Sequence, residues 1–258
     1  MYNNKKLKNE ARHYFTTNKE YNWYKKVMKK LIIGASGAIG SSLARKIVST
    51  GSEVHLVGRN KEKILALSNE LNATYSVADV LNENFSDQIL KDLAEDEIDG
   101  LAYCVGSIEL KPLRLTKRSN FMQSFNLNLI SATEIIRATY EKLKSNKGSI
   151  VLFSTVAAKK GFTNHSIISS AKAAVEGLTV SLAAEFAPNV RVNCIAPSIS
   201  KSTIAEPILK NEKMAENIAK MHPMKRVGQG EDFSTMVSFL LSKESSWITG
   251  QIIAIDGG

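Results

Sequence analysis

The sequence predicts a single doubly wound α/β domain, a parallel sheet covered by helices on both faces. Three observations carry that expectation. Short, continuous apolar strands alternate with amphipathic helices from Lys29 onward. The first strand, Leu31-Ile32-Ile33, runs into the turn Gly34-Ala-Ser36-Gly37-Ala38-Ile39-Gly40 and then into a helical run marked by Leu43, Ala44, Ile47 and Val48. Glycines there let the backbone approach a pyrophosphate, and the helix N-terminus beyond offers free N–H groups. No repeat, low-complexity run or composition shift divides the chain. Taken alone, the glycine turn reads equally well as an ordinary β–α connection.

In order, strand 30–33 and helix 38–50 are followed by strand 53–57, helix 61–71 and strand 74–77, which leads to Asp79. Helix 85–95 and strand 98–105 come next. A long helix over 119–144 is expected from Phe125, Leu129, Ala132, Ile136 and Leu143 at helical spacing. Strand 149–153 precedes helix 167–186, whose buried face is marked by Ala171, Val175, Leu178, Leu182 and Phe186. Strand 190–195 opens a polar stretch to about residue 230, then helix 231–242 and strand 251–255 close the chain.

A hydrophobic content of 43% supports a sizeable core. No run approaches the ~20 apolar residues of a membrane span, so no membrane partner is expected. Cys104 and Cys194 lie in strand-like apolar runs and read as buried free thiols rather than a disulfide. With no secretory signal visible, the expected location is cytoplasmic. The net charge of +9 is uneven: residues 1–27 hold six Lys and one Arg against two Glu. The rest is thinly spread and reads as solvated surface, so no nucleic-acid partner is expected. Residues 1–28 are taken as a basic extension before a domain at 29–258. The extension is a disordered tail, a short added helix, or translated sequence upstream of a start at Met28; it lacks the character of a targeting peptide.

Several stretches together resemble the short-chain dehydrogenase/reductase family. They are Gly34-Ala-Ser-Gly-Ala-Ile-Gly40, Asp79-Val80, Asn128-Leu129, Lys172-Ala-Ala-Val-Glu-Gly-Leu, Arg191-Val-Asn-Cys-Ile-Ala-Pro197 and Ile248-Thr-Gly-Gln-Ile-Ile-Ala-Ile-Asp-Gly-Gly258, in that order. The resemblance covers about residues 29–258. It implies a Rossmann-type sheet of seven parallel strands, a nicotinamide dinucleotide at the C-terminal strand ends, a small-molecule carbonyl or alcohol substrate, and a homodimer or homotetramer.

Residue by residue, Gly34 and Gly40 match two of the family's loop glycines, with Ala38 where the middle one is usual and Ile39 beside it. Asp79 matches the acid that binds the adenine amino group, followed by Val80. The motif usually read Asn-Asn-Ala-Gly is here Tyr103-Cys104-Val105-Gly106, so only Gly106 survives. Pro197 ends the motif usually read Pro-Gly, and Ser202 fits the hydroxyl that touches the cofactor beyond it. After the second strand the chain reads Val57-Gly58-Arg59-Asn60, with no acid for a ribose hydroxyl. Arg59 is placed to fork onto a phosphate and Ser36 adds a hydroxyl, so NADP (as NADPH) is the expected cofactor. Otherwise Arg59 is a solvated turn residue.

The family's reaction moves hydride between nicotinamide and a carbonyl or alcohol carbon, with a tyrosine handling the oxygen's proton. Here Lys172 matches the lysine, Asn128 the asparagine that supports a relay water, and Thr155 the serine. The tyrosine position is Ile168, four residues before Lys172 and therefore on the same helix face. An isoleucine moves no proton. Three readings follow. In an active oxidoreductase, Thr155 or Ser154 polarises the carbonyl, and Lys172, His165 or a water on Asn128 supplies the proton. In the second, the protein binds NADPH without turnover, as a sensor or oligomer subunit. In the third, the basic N-terminus makes it an anionic-surface or nucleic-acid binder. Residues 198–226 stand where the family has a substrate lid, and Ile204, Ile208, Leu209, Met214, Ile218 and Met221 suggest an amphipathic helix closing over an apolar pocket.

Overall fold

Seven strands lie parallel in one sheet in the order β3-β2-β1-β4-β5-β6-β7, in a computed structural model that describes residues 28–258. The elements are β1 (Met28–Ile33), α1 (Ala38–Ser49), β2 (Glu53–Gly58), α2 (Lys61–Leu71), β3 (Thr74–Val77), α3 (Phe85–Leu93) and β4 (Glu97–Tyr103). Then come α4 (Arg118–Phe125), α5 (Ser131–Ser145), β5 (Ser149–Phe153), α6 (Ser166–Phe186) and β6 (Arg191–Pro197). The short lid helices α7 (Glu206–Leu209) and α8 (Glu212–Met221) precede α9 (Gly230–Leu241) and β7 (Ile252–Ile255). The basic stretch 1–27 lies outside the described residues.

Continuous apolar strands are explained by burial on both faces. Leu31 and Ile33 point to one side with Leu101, Ile150 and Val192, under Ile89, Ile135 and Val175 of α3, α5 and α6. Ile32 points to the other with Leu56, Ala102, Val151 and Ile195, under Leu43, Ile64 and Val237 of α1, α2 and α9. Each such Leu or Ile, buried on folding, contributes roughly 1.5–3 kcal/mol.

The structure departs from the sequence reading in three places. Met28 pairs with Glu97 and so belongs to the sheet rather than to the extension. The helix expected over 119–144 is two helices joined by a π-helical turn, Asn126–Ile130. Local side-chain bonds accompany that turn: Asn128 Nδ2 donates to Ser124 O at 2.8 Å, and Ser131 Oγ donates to Asn126 O at 2.9 Å and Val80 O at 2.7 Å. Finally, α6 is long and apolar enough by length and composition to cross a membrane. Its Ile167, Ala171, Val175, Ala183 and Phe186 are buried on the sheet, as in a core helix of this fold.

A polar cluster underlies the β1–β2–β3 edge. The His55 ring, fully buried, bonds Thr74 Oγ1 at 2.9 Å and Ser76 Oγ at 2.8 Å. Lys29 Nζ bonds the same Thr74 hydroxyl and pairs with Asp96. Burial, with the neighbouring Lys29 ammonium, lowers the His55 pKa to about 4. A histidine kept neutral below its unfolded value of ~6.5 stabilises the fold above that pH, and the contribution drains away as pH falls toward 4. Urea unfolding between pH 8 and pH 4 is therefore expected to show a loss of up to about 3 kcal/mol that His55→Gln abolishes.

Candidate cofactor and active site

The glycine turn leaves β1 with Gly34 at φ +82°, a left-handed conformation that favours glycine. Gly34 and Ala35 N–H both donate to Val57 O at 2.9 Å, which fastens the turn to the end of β2. Gly37 caps α1 without a side-chain bond, so the first amides of that helix stay open at Ala38, Ile39 and Gly40. A Cβ on Gly40 would stand 2.4 Å from Gly34 O. Ser36 Oγ is 3.0 Å from where a Cβ of Gly58 would be, which brings it beside Arg59. Arg59 is exposed and makes no hydrogen bond or ion pair with a described residue.

Asp79 follows β3, and its Oδ1 accepts from Leu81 N at 3.0 Å in a local turn. Asn84, not Asp79, occupies the cap position of α3. Val80 is buried, and its carbonyl is held by Ser131.

Gly106, Asn128 and Lys172 converge. A Cβ on Gly106 would be 3.4 Å from both Asn128 Oδ1 and Lys172 Nζ. Asn128 Oδ1 is buried and has no hydrogen-bond partner among the described residues. Lys172 is 6% exposed and no described carboxylate pairs with its ammonium. Burial lowers its pKa to about 8. The same burial pushes the Cys104 and Cys194 thiols up to about 12, so neither is a thiolate near neutrality.

Not every residue singled out in the sequence reaches this cluster. Ser154 donates its hydroxyl to Glu176 Oε1 at 2.8 Å, which turns it away from a carbonyl. Thr155 Oγ1 accepts from Ala157 N at 3.2 Å and lies 3.4 Å from Pro197 O, leaving its O–H only loosely held. Ile168 is 4% exposed, one turn before Lys172. His165 caps α6 and bonds Thr163 O through Nδ1 at 2.7 Å. It lines an outer cavity whose walls include neither Thr155 nor Lys172. Ser202 accepts from Ala205 N at 3.3 Å, a local cap in the lid.

The lid carries two short helices with no buried residue, and Met214 and Met221 face solvent, so the expected apolar closure is not seen here. What sequence reasoning missed is its fastening. His222 Nδ1 donates to Ile218 O at 2.8 Å, which leaves Nε2 to accept from the Ser198 hydroxyl at 2.8 Å. The signal was legible: a hydroxyl stands where the family has glycine, and the lid holds a histidine. Glu176, one turn beyond Lys172, was likewise overlooked.

The sheet order and the cleft above its C-terminal strand ends define a doubly wound dinucleotide-binding architecture. A family model described as Enoyl-(Acyl carrier protein) reductase matches residues 34–258. The chain is 31% identical over 252 residues to a chloroplastic tropinone reductase homolog of Arabidopsis thaliana, across 94% of this chain and 78% of that one. It is 32% identical over 231 residues to the 3-oxoacyl-acyl-carrier-protein reductase of Rickettsia bellii, across 88% and 95%. A solved structure described as ElxO with NADP bound superposes with a TM-score of 0.81 at 27% identity, covering 90% of this chain and 98% of that one. The chain belongs to the short-chain dehydrogenase/reductase family of oxidoreductases.

Gly40→Ala forces a methyl group against Gly34 O at the site where the turn meets α1. The variant is expected to lose ~1–3 kcal/mol in urea unfolding.

Proposed function

We propose that the protein is an NADP(H)-dependent oxidoreductase in which Lys172, rather than a tyrosine, supplies the proton to a small-molecule carbonyl. The observation that carries this reading is the pair of unpartnered groups at Gly106, the Lys172 ammonium and Asn128 Oδ1. A bound nicotinamide supplies or accepts the hydride. The uncapped start of α1 suits a pyrophosphate, and the free carboxylate oxygen of Asp79 suits an adenine amino group. Arg59, with Ser36 beside it and no acid at the end of β2, suits a ribose phosphate. The neighbour described with NADP bound, and a tyrosine-to-phenylalanine variant of it described with NADPH bound, support that choice.

In reduction, Thr155 donates its hydroxyl to the carbonyl oxygen, and the Lys172 ammonium gives that oxygen its proton as the carbon receives hydride. A water that donates to Asn128 Oδ1 relays a proton from solvent to the neutral amine, so each turnover consumes one solvent proton. Ile168 contributes a buried apolar side chain one turn before Lys172. Ser154 and His165 take no part, because their polar atoms are engaged elsewhere or face the outer cavity. The chain works as a homodimer or homotetramer.

The aliphatic Ile168 favours a second reading, a protein that holds NADPH without turnover. Ile168→Tyr separates the two. With Lys172 as the acid, NADPH oxidation across aldehydes, ketones and quinones stays level or falls in the variant; in a silent site, activity first appears there.

Three outcomes are expected from the main reading. Reduction slows as pH rises through about 8, where the Lys172 ammonium deprotonates, and oxidation of the alcohol speeds up over the same range in a kcat profile. Lys172→Met lowers kcat at least about 100-fold. Arg59→Ala weakens NADPH ~10–100-fold in a binding titration and leaves NADH unchanged.

A further inference from the structure

Glu176 is a mostly buried acid that the proton transfers above do not use. Its side chain is 12% exposed, and burying a carboxylate is costly unless its oxygens are met. Both are. Oε1 accepts the Ser154 hydroxyl at 2.8 Å, and Oε2 stands 3.7 Å from Lys159 Nζ. The first contact is a charge-assisted bond to a buried serine, whereas the second is loose, since the Lys159 side chain is 64% exposed. Lys172, one turn earlier on α6, is not served by this acid: its ammonium lies at Gly106.

The two partners of Glu176 bracket Thr155. Ser154 directly precedes it, and Lys159 closes the 3-10 turn Val156–Ala158 that Thr155 caps. That turn is fixed internally: Ala157 N donates to Thr155 Oγ1 at 3.2 Å, and Ala158 N donates to Thr155 O at 3.0 Å. The Ser154 backbone is held as well, its N–H donating to Ile195 O at 2.7 Å, and its hydroxyl also lies 3.3 Å from Lys172 O. The residue before Thr155 is thereby fastened to the turn of α6 that carries Lys172. Thr155 Oγ1 reaches Pro197 O only at 3.4 Å, so its placement depends on what holds its neighbours.

We propose that Glu176 is a positioning residue, which acts through the Ser154 hydroxyl to hold Thr155 in register with Lys172. This rests on the reductase reading above, in which both groups meet one substrate oxygen. Glu176 itself moves no proton, and Ser154 transmits its hold without entering the chemistry. Two donors converging on one atom tolerate little misplacement, so loss of the bond slows the chemical step. Cofactor binding is expected to be spared, because the residues suited to phosphate and adenine follow β1, β2 and β3, in the other half of the sheet. The titration of Lys172 is expected to be spared too, since burial sets it, with Cys104 and Cys194 as the neighbouring groups.

The test is steady-state reduction of benzaldehyde, ethyl acetoacetate and 9,10-phenanthrenequinone by the full chain with NADPH. Glu176→Gln keeps an acceptor for Ser154 and is expected to retain kcat within about threefold. Glu176→Leu removes the acceptor and is expected to lower kcat at least about tenfold, with the KM for NADPH changed less than about twofold. The inflection of its pH profile near 8 stays in place. Ser154→Ala breaks the same bond from the other end and repeats the loss, which keeps the test open if Glu176→Leu does not fold. The double variant is expected to be no slower than either single change. An unchanged kcat in Glu176→Leu or Ser154→Ala, equal losses in Glu176→Gln and Glu176→Leu, losses that multiply in the double variant, or a displaced inflection overturns the proposal. If none of the three compounds oxidises NADPH with the wild-type protein, the reductase reading fails, and the hold on Thr155 is judged by amide hydrogen exchange. The Ala157 amide, which donates to Thr155 Oγ1, is then expected to exchange at least about tenfold faster in Glu176→Leu than in wild type or Glu176→Gln, while the amides of β1 keep their rates. Equal Ala157 exchange in all three proteins, or an acceleration shared by β1, overturns the proposal.

Discussion

Backbone meets backbone without intervening side chains where α1 leaves the glycine turn. A Cβ at Gly40 would fall 2.4 Å from Gly34 O, and one at Gly230, where α9 begins, would fall 2.5 Å from Ala38 O. The first closeness draws α1 down onto β1 and aims its free amides at the cleft. The second lets α9 seat directly on α1, completing the layer that also covers β4, β5 and β6. Packing this tight leaves no slack, because interiors at crystal-like density transmit any added atom to their neighbours. The position of the anion-receptive helix end is thereby tied to the packing of the whole face.

The cleft itself is defined by an imbalance. Lys172 lies buried with no carboxylate of the described residues paired with it, and the nearest acid on its helix, Glu176, is occupied by Ser154 and Lys159. An ammonium in such a place is poised to give up its proton, which is the behaviour that burial imposes on it. Burial of this kind makes the polar groups around the ammonium count for more than they would in water. Thr155 holds Pro197 O only at 3.4 Å, and Asn128 Oδ1 has no partner among the described residues.

Much of this was legible in the sequence, for identifiable reasons. Strand and helix order followed from alternating apolar runs, and the glycines, Asp79, Asn128 and Lys172 stood at recognisable spacings. Spacing put Thr155 at the serine position but left Ser154 as an alternative, because the engagement of Ser154 depends on the reach of Glu176, 22 residues away. The π-helical turn was hidden since Phe125, Leu129 and Ala132 keep a helical spacing straight through it. His55 looked like one more strand residue; its buried bonds to Thr74 and Ser76 depend on strand register, which an isolated sequence does not display. The outer cavity was equally hidden, because its walls come from segments more than forty residues apart.

The π-helical turn at Asn126–Ile130 also constrains how this chain can vary. Its wider loop of backbone accommodates one residue more than an α-turn would, and Asn128 sits inside it. Removing a single residue there would rewind the segment as ordinary helix with α5 still in register, whereas adding one would rotate everything beyond it by about 100°. The deletion would take Asn128 from its place at Gly106, and the insertion would turn the apolar stripe of α5 off the sheet. Substitutions in this stretch are matters of degree, but its length is not: insertions and deletions should be purged from it while the loops at either end of the same helices accept them freely.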